Sequence, residues 1–154
     1  MQHIRLTKAS KKEQYAELYN QLSYILKDES DLIARMSTIV AAIKEAFDFY
    51  WIGFYRIVQN ELVIGPYIGT LGCLRIQKGK GVCGTAWAEQ KTIIVPNVDE
   101  FPGHIACSSE SKSEIVVPVF KNDQIIAILD IDSSLYHQFD ETDKEGLEKI
   151  VQLV

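Results

Sequence analysis

Two short polar turns, each set between apolar runs of strand length, constrain this 154-residue chain more than any other feature. FYWIGFYRIV (49–58) is aromatic and β-branched, and Gln59–Asn60 folds it back onto ELVIGPY. EIVVPVF (114–120) returns through KNDQ into IIAILDID (125–132). Each pattern predicts a hairpin, and two hairpins commit the chain to an antiparallel sheet. Helical periods surround them. Tyr15, Leu18, Tyr19, Leu22 and Ile25 form one stripe within 13–26. Ser30–Asp31 caps a second helix running to about Ala46, with Leu32, Ile33, Met36, Ile39, Val40 and Ile43 on one side. A third helix starts near Gly81, TIIVPNV is a short strand stopped by Pro96, and Asp140–Asp143 opens a last helix over 143–154. The order ααββαβββα predicts an α+β domain, an antiparallel sheet with helices beside it.

At 47% hydrophobic residues, and with no repeat or linker, residues 1–154 suit one domain with a real core. A net charge of −5 without any concentrated basic face argues against a nucleic-acid partner. The start, MQHIRLTKAS, lacks the apolar stretch of a signal peptide. No apolar run approaches the ~20 residues needed to span a bilayer. The expected setting is therefore cytoplasmic, with no membrane partner.

In that setting the three cysteines become informative. Cys73, Cys83 and Cys107 are odd in number and widely spaced, with no C-x-x-C pair, so neither a structural disulfide framework nor a zinc ribbon is expected. His104 and Cys107 form an H-x-x-C with nothing nearby to complete a metal site. Each thiol falls in a loop or at an element end. Cys73 lies in GTLGCLRI, and Cys107 lies in FPGHIACSSESKSE, a loop longer than most connections in compact domains. Cys83 lies at a helix start, where the dipole favours a thiolate. On local physics alone Cys83 is the nucleophile candidate. GKGVCG lacks the spacing of a nucleotide-binding loop.

Two strands carry further candidates. Alternation along 49–56 puts Phe49, Trp51, Gly53 and Tyr55 on one face, with Tyr50, Ile52, Phe54 and Arg56 on the other. The glycine between aromatics forms a slot with π walls, or else this is an ordinary core strand. In AILDIDS both Asp130 and Asp132 fall on one face, opposite Leu129 and Ile131. A turn at Ser133–Ser134 explains Asp132 but not Asp130. Two close carboxylates raise a pKa or recruit a cation, and Glu114 adds a third acid where the long loop meets its strand.

These segments together resemble the free methionine-(R)-sulfoxide reductases, stand-alone enzymes of GAF-type fold. The resemblance runs over about residues 30–154, through WIGFY, LVIGPY, GCLRI, GKGVCGTAWAEQKTIIVPNV, FPGHIAC, SEIVVP, LDIDS and FDETDKEGLE. It implies a central antiparallel sheet with the terminal helices on one side and a ligand pocket under loops on the other. It also implies reduction of the R epimer of free methionine sulfoxide. Cys107 becomes the nucleophile in place of Cys83, Cys73 its resolving partner, and Cys83 auxiliary. Trp51 and Tyr55 line the substrate pocket, and Glu114, Asp130 and Asp132 supply polar contacts. His104 and loop amides would stabilise the Cys107 thiolate. No cofactor is implied, neither metal, flavin nor nicotinamide. Thioredoxin is the expected reductant, and a homodimer is compatible with the resemblance. Rival readings are a ligand-binding regulatory module, which would need an output domain this chain does not carry, and a thiol redox sensor.

Overall fold

The computed structural model describes residues 2–154. Helix α1 (Lys11–Ile25) starts where the Ser10 side chain accepts the Glu13 backbone N–H. Helix α2 (Leu32–Phe47) starts where Asp31 accepts from Ala34, and it ends at Asp48, whose φ of 49° turns the chain toward the sheet. Strands β1 (Trp51–Val58) and β2 (Glu61–Ile68) follow. Their turn residues Gln59 and Asn60 both have positive φ, which matches the twist of a two-residue hairpin. Strands β5 (Ser113–Lys121) and β6 (Gln124–Ser133) repeat the device with Asn122 and Asp123. Between the hairpins lie β3 (Arg75–Ile76), α3 (Gly81–Glu89) and β4 (Ile93–Val95). Helix α4 (Glu141–Ile150) opens on a reciprocal cap between Asp140 and Asp143 and continues as a 3-10 turn, Val151–Leu153.

The six strands form one antiparallel sheet in the order β3-β2-β1-β6-β5-β4. Strand β6 joins the two predicted hairpins by pairing with β1. The expected α+β architecture is the observed one, with β3 as an addition. That two-residue strand pairs Leu62 with Ile76 and Val63 with Arg75, and it is too short to show a period in the sequence.

Alternation along the strands divides the interior into two cores. On one face Ile52, Phe54, Ile115, Val117, Leu129 and Ile131 meet the apolar stripes of α1, α2 and α4. On the other face Trp51, Tyr55, Val116 and Ile128 meet Val82, Cys83, Ala86 and Trp87 of α3. The second face is only partly covered by α3 and the loops, and that incomplete cover is where a pocket forms. The terminal helices are fastened to each other away from it. The Tyr15 hydroxyl donates to Asp143 at 2.7 Å, beside a 2.8 Å contact from Lys11 Nζ. Among the described residues, no helix is long and apolar enough to cross a membrane.

Strand β1 starts at Trp51, not Phe49. Because Asp48 reverses the chain first, Phe49 falls on the helical side, near Phe47 and Phe139. The alternation read from Trp51 to Tyr55 holds, and its extension back to Phe49 and Tyr50 does not.

Candidate active site

Trp51 is nested where three glycines leave room. A Cβ at Gly53 would lie 2.5 Å from the indole Cη2, one at Gly69 would lie 2.5 Å from Cδ1, and one at Gly72 would lie 2.9 Å from Cζ2. The indole N–H donates to the Thr70 carbonyl at 2.8 Å, and the ring stacks against Tyr55 and Tyr67. The slot beside Gly53 is therefore filled by Trp51 itself, whose outer surface becomes one wall of the cavity. Tyr55, also on that wall, donates its hydroxyl to the Cys73 carbonyl at 3.0 Å.

Opposite the aromatics, Glu114, Asp130 and Asp132 converge from adjacent strands. Glu114 pairs across the ladder with Asp132, while Asp130 lies between Gly53 of β1 and Val116 of β5. Glu114 and Asp130 are buried, and Asp132 keeps part of its surface open and accepts the Ser111 hydroxyl at 2.6 Å. Burial, with the Asp132 charge as second cause, pushes the Glu114 carboxyl up to about 8. Burial and neighbouring carboxyls push Asp130 and Asp132 well above the usual carboxylate range. The cluster therefore carries protons near neutral pH.

The cysteines divide into a pair and a buried single thiol. Cys73 and Cys107 are joined in a disulfide, their Cα atoms 5.5 Å apart across 34 residues of sequence. The bond ties the loop after β2 to the loop before β5 over the mouth of the pocket. Cys107 is exposed, and Cys73 is half-buried. Cys83 is buried in the first turn of α3, with Sγ 3.9 Å from Glu114 Oε1. Burial and the charges of Asp130 and Glu114 push its thiol well up. This reverses the local argument for a Cys83 thiolate, because desolvation and three nearby carboxyls outweigh a nine-residue helix dipole.

His104 takes a place the sequence did not suggest. Its Nε2 lies 3.6 Å from Glu114 Oε2, and with Cys107 held in the disulfide no thiolate is present for it to serve. The distance is that of an ion pair, yet burial lowers the His104 pKa and raises that of Glu114. Both are pushed toward neutrality, so the contact is one of imidazole with a neutral carboxyl. Cys107 is held in the disulfide, so the H-x-x-C pair cannot ligate a metal in this state. Ser111 and Tyr50 gave no sign of a site role in the sequence. The Tyr50 hydroxyl reaches Ser108 Oγ at 2.9 Å and Thr70 Oγ1 at 3.3 Å, bridging the two cysteine loops. The one available signal was the hydroxyl-rich run around Cys107, and it named no partner.

An aromatic wall, a protonated acid cluster and a paired thiol at the mouth suit a sulfur-centred reduction of a small polar molecule. Comparison with known proteins agrees. The model of the GAF domain family matches residues 31–154. The chain is 50% identical over 152 residues to GAF domain-containing protein A of Dictyostelium discoideum, covering 98% of this chain and 96% of that one. It is 39% identical over 143 residues to the free methionine-R-sulfoxide reductase of Escherichia coli K12, covering 92% and 87%. The X-ray structure of free methionine-R-sulfoxide reductase from Neisseria meningitidis in complex with its substrate superimposes with a TM-score of 0.95 at 42% identity, covering 99% of this chain and 93% of that one.

Proposed function

The chain belongs to the GAF-domain family of free methionine-R-sulfoxide reductases, and we propose that its pocket reduces the R epimer of free methionine sulfoxide with Cys107 as nucleophile and Cys73 as resolving thiol. The observation that carries this assignment is the Cys73–Cys107 disulfide above a buried, proton-bearing acid cluster. A sulfoxide is a poor electrophile until its oxygen is protonated, so the site needs a thiolate and an acid of raised pKa together. Glu114 supplies the proton. The Cys107 thiolate attacks the protonated sulfoxide sulfur and forms an S–S bond. That bond and the S–O bond then break as the hydroxyl passes to the Cys107 sulfur, so methionine leaves with a lone pair on its sulfur and Cys107 is left as a sulfenic acid. The Cys73 thiol displaces that oxygen as water and forms the disulfide.

Specificity for the free amino acid follows from the same walls. Trp51 and Tyr55 face the methyl-sulfoxide end, and the Asp130–Asp132 edge, on giving up a proton as the ligand enters, pairs with an α-ammonium, which a methionine inside a protein lacks. The disulfide-closed cavity is about 40 Å³. The closed Cys73–Cys107 disulfide is the redox state that follows methionine release. An external dithiol must then reduce the disulfide. Thioredoxin, working in a reducing cytoplasm, fits because Cys107 is exposed. We treat residues 1–154 as one catalytic domain, supported by the fastening of α1 onto α4 through Tyr15 and Asp143. A homodimer is compatible with it, and Cys83 has an auxiliary part.

The test is methionine release from free L-methionine-(R)-sulfoxide with dithiothreitol, in wild type and in Cys107→Ser, Cys73→Ser and Cys83→Ser. Turnover in wild type and none in Cys107→Ser supports the assignment. An active Cys107→Ser with an inactive Cys83→Ser transfers the role to Cys83, and a wild type that releases no methionine ends the reductase reading.

A further inference from the structure

Three possible metal donors meet at the pocket floor from three different elements. They are Cys83 Sγ from the first turn of α3, a Glu114 oxygen from the start of β5 and an Asp130 oxygen from β6, all within 4.8 Å of one another. All three residues are buried. Hydrogen bonding within the protein accounts for them incompletely. The Cys83–Glu114 contact is long at 3.9 Å, and although the Asp130 carboxyl also interacts with Glu114 and Cys83, its Oδ1 is buried without a well-aligned hydrogen-bond partner. A buried acceptor left unpaired has lost its hydration without replacement, which is unfavourable. His104 approaches the same floor, 3.6 Å from Glu114 Oε2, while Cys83 contacts the other carboxyl oxygen, Oε1. The floor thus gathers sulfur and carboxylate oxygens around an unsatisfied acceptor, with an imidazole at the rim. Among the described residues, no lysine or arginine is bonded to it.

We infer that Cys83, Glu114 and Asp130, with His104 at the rim, form a binding site for a thiophilic divalent cation of the zinc class. One thiolate, two carboxylates and an imidazole suit zinc, whereas calcium takes six to eight oxygens and magnesium keeps several waters. Zinc–ligand bonds of about 2.0–2.3 Å put tetrahedral donors about 3.3–3.6 Å apart. The 3.9 Å between Cys83 Sγ and Glu114 Oε1 needs only a small contraction. Binding transfers no electrons. The ion displaces the Cys83 thiol proton and the carboxyl protons to solvent, so affinity rises with pH.

The site gives Cys83 a purpose separate from thiol–disulfide exchange. It also makes the ion an inhibitor, since an ion on Asp130 fills the place assigned above to the substrate's ammonium. That one consequence rests on the reductase reading, and the binding itself does not.

Oxidised protein is the right test material, because the Cys73–Cys107 disulfide leaves Cys83 as its single thiol. Cobalt(II) added to it should produce a thiolate-to-cobalt charge-transfer band at one equivalent, and zinc(II) should abolish the band. Calorimetry with zinc(II) should show one site with proton release. Cys83→Ser should lose the band and bind zinc at least tenfold more weakly. Asp130→Asn, nearly the same shape, should keep the thiol and still weaken zinc by at least tenfold. The proposal is overturned if oxidised wild type gives no band, or if both variants bind zinc as tightly as wild type. These readouts need no turnover, so a failed reductase assay would leave them intact.

Discussion

Glu114 stands directly across the β5–β6 ladder from Asp132, a like-charged pairing of a kind that destabilises a sheet when both groups are ionised. Neither has a lysine or arginine bonded to it among the described residues, and the protein keeps Glu114 protonated up to about pH 8. As the proton donor, Glu114 should set the alkaline limb of activity. In wild type kcat/KM should fall above about pH 8, as the acid form is lost. Glu114→Gln should lower kcat/KM by about 10²–10⁴-fold and lose that limb. A variant of full activity with the same limb would move the role to Asp130 or Asp132.

The same burial makes substrate-free stability depend on pH with a definite sign. The folded value of Glu114 lies at about 8, above the ordinary 4.5. The folded state therefore binds more protons than the unfolded chain between those values. Stability is lost as pH rises through that window, by at most about 1.4 kcal/mol for each step of one in pH. Asp130 and Asp132 act in the same direction. Surface carboxyls such as Asp140 have lowered values and act oppositely at lower pH. The melting temperature should thus fall from about pH 5 to about pH 8, and Glu114→Gln should flatten the slope. Parallel profiles for wild type and variant would refute this.

The periodic elements were legible in the sequence because each satisfies a local rule. The paired positive-φ turns at Gln59–Asn60 and Asn122–Asp123, the Asp31 cap and the apolar stripe of α2 all depend on neighbours in sequence. Strand β3 depends on Leu62 and Val63 instead, so two residues with no period of their own could not announce it. The same division holds at the site. The shared face of Asp130 and Asp132 is a property of one strand and was readable. The state of Cys83 depends on carboxyls at Glu114, Asp130 and Asp132, far along the chain, and these reverse what its helix position suggests. His104 faces Glu114 for the same kind of reason, since a long loop's path is set by what it packs against.

Gly53 holds the aromatic wall in place by having no side chain. Gly53→Ala would place a methyl 2.5 Å from both Trp51 Cη2 and Tyr67 Cβ, so the indole must move. Overpacking of this kind costs about 1–3 kcal/mol, and a displaced Trp51 should raise KM for the sulfoxide. Calorimetric unfolding and steady-state kinetics measure the two effects. Unchanged KM with lowered stability would remove Trp51 from substrate recognition and leave it a packing residue.

Tyr50 connects the two halves of the redox pair without touching either sulfur. Its hydroxyl reaches Ser108 Oγ, next to Cys107, and Thr70 Oγ1, three residues before Cys73. Formation of the disulfide requires the Cys107 sulfenic acid and the Cys73 thiol to meet in line, and a displacement of about 1 Å can cost on the order of 100-fold in such a step. Tyr50→Phe removes only the hydroxyl. It should therefore leave the first release of methionine close to the wild-type rate, because Cys107 and the acid cluster are untouched. The following disulfide closure should slow by roughly ten- to a hundredfold, and a sulfenic acid trapped by dimedone should accumulate. A single-turnover experiment separates the steps, with methionine measured by rapid quench and free thiols counted over time. If disulfide closure keeps pace with methionine release in Tyr50→Phe, then the loops are held by the backbone alone, and the Tyr50 bridge is a consequence of the closed disulfide instead of its guide.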